Sequence, residues 1–248
     1  MTALFKKEMR IHLDTADSTN TYLRDLSGNR EIPEGTLVRA DYQTQGRGHG
    51  KNFWESEQGK NLTFSFLLKP DFMEPSEQFL ISKIVSLALS EFFSQYTSGI
   101  KIKWPNDICT GSGKVAGILI ENTLQGNNIS KCIVGIGMNI NQTEFLSDAP
   151  NPVSLKMLTG RIHNPDECLE EICRILEKWY VVLRSGRRRE IDNKYLESLY
   201  LLDEFAQYEA DNNSFAAKIK GVDEFGRLCL EKTDGCMKVF GFHEVRFL

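Results

Sequence analysis

The stretch Gln43-Thr-Gln-Gly-Arg-Gly-His-Gly-Lys-Asn-Phe-Trp54 alternates three cations or near-cations, Arg47, His49 and Lys51, with Gly46, Gly48 and Gly50. So many glycines cannot hold a helix and they weaken a strand, but they allow positive φ and close backbone approach. Backbone N–H groups beside a guanidinium fork hold a carboxylate or a phosphate well. Trp54 adds a flat face on which a ring can stack. The stretch contains no Gly-Lys-Ser/Thr and no G-x-G-x-x-G opening a helix, so it is neither a P-loop nor a dinucleotide fingerprint. It reads as an anion-binding loop; the bland alternative is a mobile basic loop that binds nothing.

Three further segments carry polar groups at marked positions. Ser18-Thr-Asn20 stands at a helix start, where such residues cap the first turn or line a polar ligand; the residues by themselves favour capping. Lys103-Trp-Pro-Asn-Asp107 closes a strand in a turn-former. Lys114–Asn122 and Lys131–Asn141 read as a β-hairpin interrupted by Gly117, Gly135 and Gly137. Strand glycines mark places where a ligand or another backbone comes close. Three of them beside Lys114 and Asn139 point to a ligand-lined sheet.

The elements that must position these groups follow from periodicity. Strands are expected around Met9–Leu13, Thr36–Tyr42, Asn61–Lys69 and Ile100–Trp104. A short helix capped by Ser18 and stopped by Gly28 turns Tyr22, Leu23 and Leu26 inward. Pro75 opens a helix with Phe79, Leu80, Ile84, Leu87, Ala88 and Phe92 as core, which stops by Gly99. Asn164-Pro-Asp-Glu167 opens another, burying Leu169, Ile172, Cys173, Leu176, Tyr180 and Leu183. Arg187–Arg189 reads as a solvated helix end or loop. From about Tyr200 short apolar runs (Phe205–Tyr208, Phe215–Ile219, Leu228–Leu230, Met237–Phe240, Val245–Phe247) alternate with turn signals, which predicts a small β-barrel of roughly five strands. So short a segment holds only a marginal core, so it is expected to pack on the first domain.

Composition sets the outer limits. The chain has 248 residues, 41% hydrophobic and 26% charged, the balance of an ordinary globular protein. A net charge of −4 argues against a broad nucleic-acid-binding face. The N-terminus has no apolar signal core and no apolar run is of membrane-spanning length, so the cytoplasm is the expected location. The cysteines at 109, 132, 168, 173, 229 and 236 have no paired framework and no zinc-site spacing, and are expected to be buried free thiols.

Together the polar segments resemble the biotin protein ligases (biotin–[acetyl-CoA-carboxylase] ligases, or holocarboxylase synthetases). The family's marks are S-T-N, Q-x-x-G-R-G-R, K-W-P-N-D, K-x-x-G-I-L-x-E and G-x-G-x-N. They stand here in that order at Ser18–Asn20, Gln43–His49, Lys103–Asp107, Lys114–Glu121 and Gly135–Asn139. The resemblance covers roughly residues 10–248. It implies an α+β protein: an α/β mixed-sheet catalytic domain of the biotin/lipoate ligase type, 1–195, and an SH3-like C-terminal β-barrel, 196–248. It also implies a two-step reaction. Biotin and Mg·ATP give biotinyl-5′-AMP and pyrophosphate, and the acyl group then passes to one lysine of a biotin carboxyl carrier protein domain of a biotin-dependent carboxylase.

By the same resemblance, Arg47 and Lys114 are the catalytic cations that screen two anionic reactants, and Asp107 holds Mg²⁺ or helps deprotonate the carrier lysine. Ser18, Thr19, Asn20 and Gln43 line the ring end of the biotin site, which Arg47, Gly48, His49, Lys114 and Gly117 complete. Trp54, Lys103, Asn106 and Asn139 serve the nucleotide, with Trp54 beside adenine. No enzyme nucleophile is required, in keeping with the lack of a Ser/His/Asp or Cys/His arrangement. Neither DNA nor a membrane is an expected partner, and the oligomeric state is monomer or homodimer. The rivals are a lipoate or octanoate ligase of the same fold and a non-catalytic, ligand-sensing regulator.

The chain departs from the family pattern at three points. His49 replaces a second arginine, so adenylate retention is expected to weaken as pH rises past about 7. Lys51-Asn52 replaces Gly-Arg. S-T-N begins at residue 18, which leaves no room for a winged helix-turn-helix and implies the short, monofunctional kind.

Overall fold

The computed structural model describes residues 3–50, 52–111, 113–126, 128–147 and 151–248, so Lys51 lies outside the described residues. Seven strands form the main sheet: β1 (Arg10–Ala16), β2 (Leu37–Gln43), β3 (Leu62–Leu68), β4 (Ile100–Lys103), β5 (Asp107–Thr110), β6 (Gly113–Gln125) and β7 (Asn128–Met138). Their order is β1-β2-β3-β7-β6-β5-β4. Only β1 and β2 run parallel, joined by a crossover through α1 (Thr19–Asn29); the other neighbours are antiparallel.

Period-two alternation gives the sheet two different faces. Phe64, Phe66 and Leu68 of β3 and Val134 and Ile136 of β7 join the large core with α2 (Phe79–Ser94) and α4 (Pro165–Arg184). The opposite face buries Val38, Leu67 and Ile133 against Leu23 of α1 at one end. Over the rest of that face the alternation presents Thr63 and Ser65, Gly135 and Gly137, and Gly117, Leu119 and Glu121. Register lines them up in rows: Thr63–Gly137–Gly117, Ser65–Gly135–Leu119 and Leu67–Ile133–Glu121. A strip of sheet in which Gly117, Gly135 and Gly137 adjoin therefore lies beside the start of α1.

The helices differ from expectation in detail. Ser18 occupies the N-cap of α1 but its side chain makes no capping bond. The helix runs through Gly28 to Asn29, because Gly28 does not adopt the positive φ that stops a helix. Tyr22 is 38% exposed rather than turned inward, while Leu23 is fully buried. Pro75 opens a 3₁₀ turn, Pro75–Glu77, and α2 begins only at Phe79. A short α3 (Leu155–Thr159) precedes α4. Arg188 begins α5 (Arg188–Glu197) and is not merely solvated, since its guanidinium bonds the carboxylate of Glu77.

The last fifth of the chain forms one antiparallel sheet from β8 (Phe205–Ala210), β9 (Asn213–Val222), β10 (Leu228–Lys232), β11 (Met237–Phe240) and β12 (Arg246–Phe247), ordered β11-β10-β9-β8-β12. Its core is continuous with that of the main domain, sharing one apolar cluster that includes Phe79, Trp104, Tyr195, Tyr208 and Ile219. Trp104 Nε1 donates to the Gly226 carbonyl at 2.9 Å. Gly226, at φ +85°, lets the tip pack on Phe79, where a Cβ would come within 2.5 Å of the ring. All six cysteines are free; Cys109, Cys132, Cys168 and Cys173 are buried as expected, whereas Cys229 is only half-buried and Cys236 is exposed. Among the described residues no helix is long and apolar enough to cross a membrane.

Candidate active site

The glycine stretch folds back on itself as a tight hairpin whose stem stands over this glycine strip of the sheet. Trp54 N donates to the Gly46 carbonyl at 2.9 Å, Gly48 N donates to the Asn52 carbonyl at 2.8 Å, and Arg47 faces Phe53 in a β-bridge. A side chain at Gly46 would place its Cβ 2.3 Å from the Trp54 carbonyl, so the stem closes only with glycine there. The result is a cavity of about 40 Å³ lined by residues from five elements, among them Ser18, Asn20, Gln43, Arg47, Trp54 and Lys114. Gly48, Gly117, Gly135 and Gly137 make up much of the rest of its wall.

At one end the polar side chains are wired to each other, and Gln43 also takes the first backbone N–H of α1. Gln43 Oε1 accepts from Thr19 N at 2.8 Å and from Thr19 Oγ1 at 3.2 Å. Ser65 Oγ lies 2.7 Å from Thr19 Oγ1 and 2.6 Å from Asn20 Oδ1. Asn20 Nδ2 donates to Glu121 Oε2 at 2.8 Å, and Glu121 in turn receives both terminal nitrogens of Arg47 at 2.9 and 3.2 Å. Ser18 makes no capping bond, all three residues are buried and line the cavity, and Thr19 and Asn20 spend their side chains across the sheet. Gly135 makes this possible, because a Cβ there would sit 2.0 Å from Asn20 Oδ1.

At the other end Trp54 lies flat on the glycines, close over Gly117 and Gly137. Its Nε1 is buried and has no hydrogen-bond partner among the described residues. A buried N–H left so is costly unless something else supplies an acceptor. Lys114 Nζ stands 5.6 Å from the indole centroid and 2.6 Å from Asp107 Oδ1. That contact is close but not aligned as a hydrogen bond, so Asp107 serves Lys114 as a counter-ion rather than a directed acceptor.

The remaining expected site residues sit around this cavity rather than in it. Asn139, 2% exposed, donates to the Lys114 carbonyl at 3.2 Å and supports the strand that presents the lysine. Asn106 donates to the Ile118 carbonyl at 2.8 Å and faces a second cavity with His49, Phe79 and Phe242. Lys103 points away from both, its ammonium 5.0 Å from the Phe247 ring centroid. His49, at the hairpin tip, reaches the turn between β11 and β12: its ring is 4.6 Å from that of His243 and 5.6 Å from that of Phe242. Burial holds the His49 pKa below its ordinary value, with the neighbouring His243 acting the same way and Asp107 opposing.

Two residues central to the wiring were not candidates from sequence. Ser65 sits in an apolar run and reads as core; only its two-residue offset from Leu67 puts it on the glycine face. Glu121 lies within the K-x-x-G-I-L-x-E segment without an assigned task. Among the described residues no group of three or more His, Cys, Asp or Glu side chains is gathered to hold a metal.

Comparison with known proteins places this geometry in context. Residues 13–139 match the model of the biotin/lipoate A/B protein ligase family. The bifunctional ligase/repressor BirA of Bacillus spizizenii is 31% identical over 240 residues, 93% of this chain and 71% of that protein. The biotin–[acetyl-CoA-carboxylase] ligase of Paracoccus denitrificans is 28% identical over 230 residues, covering 90% of this chain and 94% of that one. Among solved structures, the biotin protein ligase of Aquifex aeolicus in complex with biotin and ATP superposes with a TM-score of 0.80 at 28% identity, covering 96% of this chain and 99% of that one.

Proposed function

This chain belongs to the biotin/lipoate A/B protein ligase family, and from that premise we propose that it is an ATP-dependent biotin protein ligase. One observation carries the choice of substrate. A buried network of donors and acceptors (Thr19, Asn20, Gln43, Ser65) stands at one end of a cavity that has a glycine-rich floor and two cations, Arg47 and Lys114. A ureido ring offers both donors and acceptors to such a network. The dithiolane of lipoate or the chain of octanoate has no donor or acceptor to exchange with that network, so it gains nothing from being set against it.

Two steps follow. A carboxylate oxygen of biotin attacks the α-phosphorus of ATP, the bond to the β-phosphate oxygen breaks, and pyrophosphate leaves. The reactants are both anionic, so the chain's task is to hold them together and stabilise charge building on phosphorus. Lys114 is the cation best disposed for this, fixed by Asp107 and stacked on Trp54. Asp107 would be the carboxylate that meets the Mg²⁺ carried by ATP, which would screen the phosphate charge. In the second step the carrier lysine amine attacks the acyl carbon and AMP departs, so no enzyme nucleophile is involved. Trp54 Nε1, buried without a partner, would gain an acceptor from the bound adenylate.

We further propose that the acceptor is a biotin carboxyl carrier domain, that residues 1–195 and 196–248 act as the catalytic and accessory units, and that DNA is not a partner. The net charge of −4 supports the last point against the repressor reading.

The test is biotin-dependent exchange of labelled pyrophosphate into ATP, with lipoate and octanoate in parallel. Exchange with biotin alone, lost in Arg47→Ala and Lys114→Ala, is the expected result. Exchange with lipoate would move the chain to the rival branch, and none with any acid would end the ligase reading.

A further inference from the structure

Glu55 follows Trp54 in the chain, and its carboxylate gathers donors from the segment that leaves β7. Leu146 N reaches its two oxygens at 2.9 and 3.1 Å, Ser147 N donates at 2.7 Å and Gln142 Nε2 at 3.1 Å. Two successive backbone N–H groups closing on one anion form a nest. Gln142, 2% exposed, ties the segments a second time: its Oε1 accepts from Glu57 N at 2.8 Å and from Asn61 Nδ2 at 2.6 Å. Asn61 Oδ1 in turn takes Ile140 N at 3.0 Å. The same two segments also meet in front of the tryptophan, where the indole lies on Gly137. Ring contact on one side and carboxylate on the other thus fix where the indole can lie. Burial pushes the Glu55 carboxyl up, but bonds from Ser147, Leu146 and Gln142 outweigh it and hold the group below its ordinary value. These donors are all neutral, so no cation among them cancels the charge beside Trp54.

We propose that Glu55 is a positioning residue for the nucleotide: by nesting Leu146 and Ser147 and bonding Gln142, it braces Trp54 and sets the stacking face offered to the base. This role rests on the ligase reading, in which Trp54 stands beside adenine, and adds to it a residue outside the five sequence marks. Its sign is diagnostic. An uncancelled carboxylate repels the phosphates of ATP, so removing the charge should by that effect tighten nucleotide binding. Removing the brace should weaken it. The KM for ATP therefore moves in opposite directions under the two accounts. Thr19, Gln43 and Ser65, at the ring end, share no bond with the Glu55 network, so the KM for biotin should not follow.

Glu55→Gln keeps the size of the side chain but turns an amide N–H₂ toward backbone donors, which opens the nest. Biotin-dependent pyrophosphate exchange, with ATP and biotin varied in turn, gives both KM values. Loss of these charge-assisted bonds should raise the KM for ATP about tenfold, with the KM for biotin within about twofold of wild type. Glu57→Gln removes an exposed charge two residues away and supplies the baseline for charge alone, a KM for ATP unchanged or lowered. Gln142→Ala loosens the network from the other segment and serves should E55Q fold poorly. It should raise the same KM, and the double variant should add less than about twofold to the larger single effect, as members of one network do. A KM for ATP that stays level or falls in E55Q and Q142A would overturn the brace while wild-type exchange stands. So would an equal rise for biotin, or an equal rise in E57Q. A wild-type chain that shows no exchange with biotin would overturn the ligase reading and the brace with it.

Discussion

The indole of Trp54 lies so close over Gly137 that a Cβ at that position would sit 2.2 Å from its Cε2, backbone to ring rather than tip to tip. Gly137 needs no positive φ, so the whole cost of adding a methyl group falls on the ring above it. Gly137→Ala should therefore fold but lose about 1–3 kcal/mol, as overpacked sites do, lowering the melting temperature by several degrees. Biotin-dependent exchange should fall at least tenfold because Trp54 no longer lies on the sheet. Adding Trp54→Phe should recover the stability without the activity. An unchanged melting temperature in Gly137→Ala would mean that the ring does not rest there.

Lys114 and Asp107 separate rate from stability. The two side chains are each about a quarter exposed, and partly solvated ion pairs contribute about 1 kcal/mol or less to folding. Lys114→Ala should thus leave the unfolding midpoint almost unmoved while cutting single-turnover adenylation by about 10²–10³, the scale for losing one charge-stabilising group. Asp107→Asn should lower the same rate by a smaller factor, because the lysine keeps its charge but loses the group that holds it. Equal losses of rate and stability would assign the pair a structural role.

His49 gives a pH dependence whose sign is fixed by its surroundings. Burial and the nearby His243 lower its pKa from 6.5, against a weaker opposite pull from Asp107. A lowered histidine pKa means the unfolded chain takes up the proton first, so this contribution to stability is present above about pH 6.5 and is lost as pH falls through that value toward the folded pKa. The functional window moves the same way. The residue alone suggested retention weakening past about pH 7. Held neutral at that pH by its setting, His49 should instead leave adenylate off-rates flat from pH 7 to 8, with slower release appearing only below about 6.5. His49→Arg should slow release at every pH and flatten the profile. A wild-type profile that bends between pH 7 and 8 would contradict the environment described.

The glycine-rich floor of this cavity is legible in the sequence. Gly117, Gly135 and Gly137 interrupt strands that otherwise alternate cleanly, and the expectation of such a floor follows from that alone. What could not be read is partnership across the sheet. Thr19 and Asn20 look like capping residues because sequence displays only the local helix start; their partners Gln43, Ser65 and Glu121 are 24, 45 and 101 residues away. The antiparallel register that brings Ser65 beside Gly135 leaves no local trace. Lys103 was expected to serve the nucleotide, but a strand reverses side-chain direction at each residue and the lysine emerges toward Phe247 and Tyr200. The C-terminal strands were legible from their turns, and the contact of their tip with His49 was not.

That contact supports a last prediction. Phe242 lies between the two parts of the chain, its ring 5.4 Å from Trp104, 6.0 Å from Phe79 and 5.6 Å from His49. It is 40% exposed, so Phe242→Ala should cost well under the roughly 3–5 kcal/mol of a fully buried phenylalanine. Its main effect should be on the hairpin tip, which loses the apolar wall that His49 rests against. Limited trypsin digestion should then cut after Arg47 several-fold faster in Phe242→Ala than in wild type at a temperature where both are folded. Phe205→Ser, a change to an exposed ring on the same C-terminal sheet, should leave the cleavage rate alone. If both variants are cut alike, the C-terminal sheet affects the hairpin only through general stability. If only Phe242→Ala is cut faster, the accessory unit steadies the loop that covers the active site, and removing its tip should raise the KM for biotin before it lowers kcat.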